Sequence, residues 1–101
     1  MKNNLAIEPQ HLKILQKILQ ILPPDAQVWV FGSRITSPRP YSDLDLLIDL
    51  NGQALPTQLR LDLQEKFSES DLPYKVDIVD WNAIDSTFKQ VIADKKILLK
   101  Y

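Results

Sequence analysis

Residues 28–48 have the sequence VWVFGSRITSPRPYSDLDLLI, in which an apolar run, a polar loop with two prolines and a second apolar run follow one another. Two short apolar runs separated by turn-forming residues are typical of two β-strands joined by a loop. The second run, residues 46–48, directly follows Asp43 and Asp45. Because successive side chains of a strand alternate between its faces, these two carboxylates should point the same way and lie close together. Such a pair repels itself unless a cation lies between its members, so the stretch predicts a metal site.

Gly32 and Ser33 stand where the first of these strands gives way to a turn or to the start of a helix. Gly32 is one of only two glycines in the chain. Backbone N–H groups exposed at such a point can bind an anion. A phosphate-binding turn that faces a pair of carboxylates would hold a nucleoside triphosphate together with Mg²⁺.

The composition limits the other possibilities. A length of 101 residues predicts a single domain, residues 1–101, with one modest core. The 12 Lys and Arg against 13 Asp and Glu provide no broad basic field, which argues against nucleic acid as a partner. Cysteine is absent and there is one histidine, so disulfides, thiolate sites and a histidine zinc site are excluded. We find no signal peptide and no apolar run of about 20 residues, and we expect a soluble, cytoplasmic protein without membrane association.

Hydrophobic periodicity predicts an α/β fold with a mixed sheet of three to four strands and about three packed helices. The predicted strands are residues 27–31, 43–48, 74–80 and 96–101, and the predicted helices are residues 8–22, 56–67 and 85–92. A strand–helix–strand order implies a right-handed crossover that makes the second and third strands parallel. If the first strand runs antiparallel to the second, Gly32 and Ser33 lie beside Asp43 and Asp45, and Asp77 of the third strand reaches the same edge.

Three motifs occur in a characteristic order, namely FGSR at residues 31–34, SDLDL at residues 42–46 and VDIV at residues 76–79. In these motifs the chain resembles the minimal nucleotidyltransferases (MNT) of the DNA polymerase beta-like superfamily, and the resemblance covers nearly its whole length. It implies a nucleotidyltransferase fold in which the catalytic residues Asp43, Asp45 and Asp77 hold two Mg²⁺ ions. It also implies that Gly32 and Ser33 bind the terminal phosphates of ATP. Arg34 either neutralises phosphate charge or is an ordinary surface arginine.

The smallest proteins of this kind are often antitoxins of HEPN/MNT toxin–antitoxin pairs, encoded beside a helical HEPN-domain toxin. The resemblance therefore implies an adenylyltransferase that moves AMP from ATP to a protein hydroxyl, a tyrosine of such a toxin, within a homo- or hetero-oligomer. A chain that ends just after its last strand agrees with an acceptor that supplies its own docking surface. The alternative is an antitoxin that masks its partner by contact alone. Ser37 and Pro38 favour it, because many relatives have glycine where this chain has Ser37 and the loop looks one residue shorter.

Simpler interpretations exist for single residues. An isolated Asp-x-Asp is more often a solvated strand end than a metal site, and an EF-hand is excluded because Leu47 occupies its third ligand position. Asp77 can instead pair with Lys75 or Arg60. Asp49 shares the parity of the paired aspartates but lies past the apolar run, where a turn residue is expected.

Overall fold

The computed structural model describes residues 7–31, 43–93 and 95–101. Its strands are β1 (Gln27–Phe31), β2 (Leu44–Asp49), β3 (Val76–Asp80) and β4 (Ile97–Leu99). Its helices are α1 (Pro9–Leu19), α2 (Thr57–Ser68) and α3 (Ser86–Ile92), and a 3-10 turn, Trp81–Ala83, precedes α3. This mixed arrangement confirms the predicted α/β fold class. Within the described ranges, no helix has the length and apolar character of a membrane span.

The four strands form one sheet in the order β3-β2-β1-β4. β1 is antiparallel to both β2 and β4, whereas β2 and β3 are parallel and are connected through α2. The C-terminal end of β1 and the N-terminal ends of β2 and β3 therefore meet at one end of the sheet, as the sequence predicted. Element ends differ slightly: α1 stops at Leu19 rather than near residue 22, because the Leu22 N–H donates to the Leu19 carbonyl oxygen (3.0 Å) in a tighter turn.

One face of the sheet carries the hydrophobic core. Val28 and Val30 of β1 are fully buried there, and α1 and α2 cover them. The other core side chains include Leu15, Leu19, Leu44, Leu46, Ile48, Leu63, Phe67 and Ile78. Each such side chain contributes roughly 1.5 to 3 kcal/mol when it is fully buried. This packing fixes the strand register and thereby the positions of the side chains on the opposite face.

We call that opposite face the carboxylate face and define it by Trp29, Phe31, Asp45, Leu47 and Asp77. Residues that are Cα partners in adjacent strands share a face, and Trp29 pairs with Leu47 while Phe31 pairs with Asp45. Leu47 is fully buried even though it lies on this side. Trp81 of the 3-10 turn contacts Trp29 on this face, and the end of the face with the aspartates is more accessible than Leu47.

Asp80, at the end of β3, is the one buried charged residue in the described part of the chain. Its Oδ2 accepts a hydrogen bond from the Leu55 N–H (2.9 Å), and its Oδ1 accepts one from the Asn82 N–H (3.0 Å). A single carboxylate thus ties the segment before α2 to the 3-10 turn after β3. From the sequence alone, we predicted only that Asp80 ends a strand.

Candidate active site

Asp45 lies between Phe31 and Asp77 on the carboxylate face. We call Asp43, Asp45 and Asp77 the carboxylate row. The Cα partner of Asp45 is Phe31 in antiparallel β1 and Asp77 in parallel β3. Asp43 precedes Asp45 by two residues at the entrance of β2 and is exposed. The register therefore brings Asp45 and Asp77 side by side, although about 30 residues separate them in the chain. Their roles, and that of Asp43, as metal ligands stay a prediction.

The electrostatics of this row show how close its charges are. Burial raises the pKa of the Asp45 carboxyl above its usual range, and the negative charges of Asp77 and then Asp43 raise it further. Lys75 partly compensates Asp77, because its Nζ lies 3.5 Å from the Asp77 Oδ1. The two side chains are 72% and 41% exposed, and such surface ion pairs contribute little to stability. The ammonium group of Lys75 is therefore easily replaced by another cation.

The three aspartates provide ligands of the type that suits a divalent cation. Three carboxylates that repel one another supply only oxygen donors, which are the ligands that Mg²⁺ prefers. Within residues 7–31, 43–93 and 95–101, however, no three acidic, histidine or cysteine side chains are arranged so that they could hold a metal ion as they stand. Convergence of Asp43, Asp45 and Asp77 on one ion therefore requires rotation of at least one side chain.

Replacing Asp45 with asparagine should stabilise the metal-free protein. The raised pKa means that the folded state disfavours the ionised carboxylate, so the penalty is full at neutral pH and disappears as the pH falls through the folded-state pKa. The carboxyl is partly exposed, and a screened gain of about 0.5 kcal/mol would raise the melting temperature by about 2 to 4 °C. Melting curves in EDTA from pH 7 to pH 3 test this. A lower melting temperature of Asp45→Asn at pH 7 would show that the carboxylate has a structural role.

Asp49 lies on the same face of β2 as Asp45, but its side chain stabilises the turn that follows the strand. Its Oδ1 accepts hydrogen bonds from the Gly52 N–H (3.0 Å) and from Asn82 Nδ2 (2.8 Å). Gly52 has φ 86°, in the left-handed region that glycine adopts without strain. Asp49 is therefore the last residue of β2 rather than a turn residue, but its side chain holds the turn that follows, as a structural rather than a metal-binding role requires.

The remaining predicted site residues, Gly32, Ser33 and Arg34, lie outside the described residues, and so does the loop with Ser37 and Pro38. The turn that was predicted after Gly32 lies outside them as well.

Aromatic side chains border the carboxylates, which the sequence analysis did not anticipate. The Phe31 ring contacts the Phe88 ring edge-on (centroids 6.2 Å apart), and the Trp29 ring contacts that of Trp81 (6.0 Å). The signal available in the sequence was Trp81, a large apolar residue directly after β3.

Paired aspartates at the start of one strand, with a third on its parallel neighbour, form the arrangement expected of a nucleotidyltransferase. The family model "Polymerase beta, Nucleotidyltransferase" matches residues 13–101. The chain belongs to this family, and the family and the enzyme class that we inferred from the sequence are confirmed.

The chain is also similar to a named protein and to solved structures. A Haemophilus influenzae protein named "Probable protein adenylyltransferase MntA" is 41% identical over 97 residues, which are 95% of this chain and 84% of that protein. A toxin–antitoxin structure with AMP-PNP matches with a TM-score of 0.67 and 25% identity, over 88% of this chain and 72% of the other. A tri-AMPylated Shewanella oneidensis HEPN toxin in complex with MNT antitoxin matches with a TM-score of 0.65 and 24% identity, over 88% and 68% of the two chains.

Proposed function

We propose that this chain transfers AMP from ATP to a side-chain hydroxyl of a protein, a tyrosine of a HEPN-type toxin, and thereby acts as its antitoxin in the cytoplasm. The observation that carries the proposal is the position of Asp45 beside Asp77 on one face of the sheet, where burial and then the charges of Asp77 and Asp43 raise the pKa of its carboxyl. The 41% identical relative named as a protein adenylyltransferase supports it. The structure with AMP-PNP, an ATP analogue, supports a nucleotide as substrate.

In the proposed reaction the tyrosine oxygen attacks the α-phosphorus of ATP and forms a new P–O bond. The bond between the α-phosphorus and the oxygen that bridges to the β-phosphorus breaks, pyrophosphate leaves with that electron pair, and the phenolic proton is released to solvent. Positioning and charge neutralisation carry most of the catalysis in such a transfer.

The aspartates would provide the charge that this reaction needs. Asp43, Asp45 and Asp77 would hold one Mg²⁺, and Asp43 and Asp45 would hold a second. Bound Mg²⁺ would lower the pKa of the acceptor hydroxyl and offset the charge on pyrophosphate. In the absence of a metal ion, Lys75 compensates part of the Asp77 charge, since its ammonium lies within ion-pair distance of that carboxylate.

The other residues position the substrates. Gly32 and Ser33 would bind the terminal phosphates through N–H and O–H groups, and Arg34 would neutralise part of their charge. Phe31 lies next to Asp45 in the register and packs against Phe88, so an apolar wall limits water on one side of the carboxylate row.

A binding-only antitoxin is the second candidate, and the departures at Ser37 and Pro38 favour it. Intact mass spectrometry distinguishes the two functions after this protein, ATP and Mg²⁺ are mixed with the HEPN-domain product of the adjacent gene. One or more AMP units on the partner, absent with Asp43→Asn, would support the enzyme. A tight complex that suppresses toxicity without a mass change, equally well with Asp43→Asn, would identify a masking antitoxin.

ATP binding should depend on a divalent cation. Without one, the triphosphate would add its negative charges to a face where Asp45 already experiences the repulsion of Asp77 and Asp43. We expect the affinity in EDTA to be at least about tenfold weaker than in Mg²⁺, which is about 1.4 kcal/mol. Calorimetry with and without EDTA measures the difference, and equal affinities would contradict the metal-bound nucleotide.

A further inference from the structure

An exposed apolar patch lies on α3 and β4, on the same side of the sheet as the aspartates. Phe88, Val91 and Leu98 are 37%, 55% and 46% exposed, and with Lys89 and Lys96 we call them the α3–β4 patch. Phe88 and Val91 are three residues apart and therefore neighbours on the helix surface. Leu98 is the Cα partner of Trp29, which places it on the carboxylate face.

Two lysines of this patch are held over tryptophan rings. The Nζ of Lys96 lies 4.4 Å from the ring centroid of Trp29 and 5.6 Å from that of Trp81, and the Nζ of Lys89 lies 5.0 Å from Trp81. Both lysines are half-buried. Cation–π contacts of this kind restrict the side chains, so less entropy is lost when a carboxylate of a partner pairs with them.

The patch is continuous with the candidate active site. The Phe88 ring packs edge-on against Phe31 at 6.2 Å, and Phe31 is the Cα partner of Asp45. A molecule that covers Phe88 is therefore about one side chain away from the carboxylate row. Because group transfer requires the acceptor to be held close to the reacting phosphorus, this position suits an acceptor.

We propose, building on the function proposed above, that the α3–β4 patch is the docking surface for the protein that accepts AMP. The docking segment of that protein carries apolar side chains flanked by Asp or Glu. Exposed apolar side chains form the centre of such an interface, and Lys89 and Lys96 meet the acidic rim. The positive charge of Lys89 and Lys96 favours a segment with acidic residues. The continuity of the patch with Asp45 favours the protein that accepts AMP as the occupant.

Two matched pairs of variants test the patch. Val91→Asp introduces a charge into it, and Leu61→Asp makes the same kind of change at a leucine that is 51% exposed on α2. Lys89→Glu reverses a charge in the patch, and Lys13→Glu reverses one at an exposed position of α1. The probe is the HEPN-domain product of the adjacent gene. Its affinity for each variant is measured by calorimetry without nucleotide, AMP transfer is measured separately by intact mass, and melting curves establish that each variant is folded.

We expect the two patch variants to bind the partner at least tenfold more weakly, and the two controls to bind it as the parent does. If Leu61→Asp or Lys13→Glu weakens binding while Val91→Asp and Lys89→Glu do not, the docking surface lies elsewhere and the inference is wrong. The affinities decide this even if the parent protein transfers no AMP. If the parent protein transfers no AMP, the proposed enzymatic activity is wrong. If transfer is retained and the patch variants bind the partner as the parent does, only the proposed docking surface is wrong.

Discussion

Replacing Asp45 with asparagine is expected to lower the rate of AMP transfer by at least about a thousandfold, which corresponds to about 4 kcal/mol of transition-state stabilisation. Asp45 occupies the centre of the carboxylate row, with Asp77 as its Cα partner and Asp43 two residues earlier. Asparagine keeps the shape of the side chain but removes the negative charge that a metal–triphosphate complex requires. Single-turnover transfer to the partner, followed by intact mass, measures the loss.

Asp49→Asn is the matched control, because Asp49 lies in the same strand and on the same face but holds the turn to Gly52. It should retain transfer. Asp77→Asn should chiefly slow the chemical step and leave nucleotide binding largely in place. Equal losses in Asp45→Asn and Asp49→Asn would indicate that both changes act through the structure of β2, and the catalytic role of Asp45 would then be wrong.

Asp80→Ala is expected to destabilise the protein by about 3 kcal/mol, because it removes the acceptor of two backbone N–H groups at a buried position. The Leu55 N–H would then be left buried without its hydrogen bond. For a domain of this size the change is about 12 to 24 °C in melting temperature. Thermal melts followed by circular dichroism measure it.

Asp85→Ala provides a comparison at an exposed site. Asp85 also caps a helix start, where its Oδ1 accepts a hydrogen bond from the Phe88 N–H (2.8 Å). Loss of an exposed cap typically costs about 1 kcal/mol. If Asp80→Ala destabilises the protein no more than Asp85→Ala does, burial of the Asp80 carboxylate has no special energetic weight.

The parallel pairing of β2 with β3 and the meeting of Asp45 with Asp77 could be predicted from the sequence, because both follow from local rules, whereas the position of β4 beside β1 was not predicted. Alternation along a strand fixes which residues share a face, and a crossover connection through a helix is typical of parallel strands, as β2 and β3 are. Apolar residues on both faces of β1 agree with a strand that is covered on both sides, since Trp29 contacts Trp81 and Val30 is in the core.

The tertiary roles of individual polar and aromatic side chains could not be predicted. Asp77 and Asp80 are both acidic residues of one strand. The sequence offered Lys75 as a partner of Asp77, and the structure confirms that ion pair, but only the structure shows that Asp80 is buried. That burial depends on where the segment before α2 passes, which has no signature in the sequence. The contact of Phe31 with Phe88 likewise joins residues from distant elements, and periodicity within each element carries no information about it.

The parallel pairing of β2 with β3 would also couple the lifetime of the protein to the nucleotide proposed above as its substrate. Asp45 and Asp77 are distant in the sequence and are brought together only by the pairing of β2 with β3, so the two carboxylates are far apart in the unfolded chain. A nucleotide and cation held across both strands would therefore bind the native state alone and reduce the fraction of molecules open to proteases. In a cell, the amount of this protein would then rise and fall with the supply of ATP.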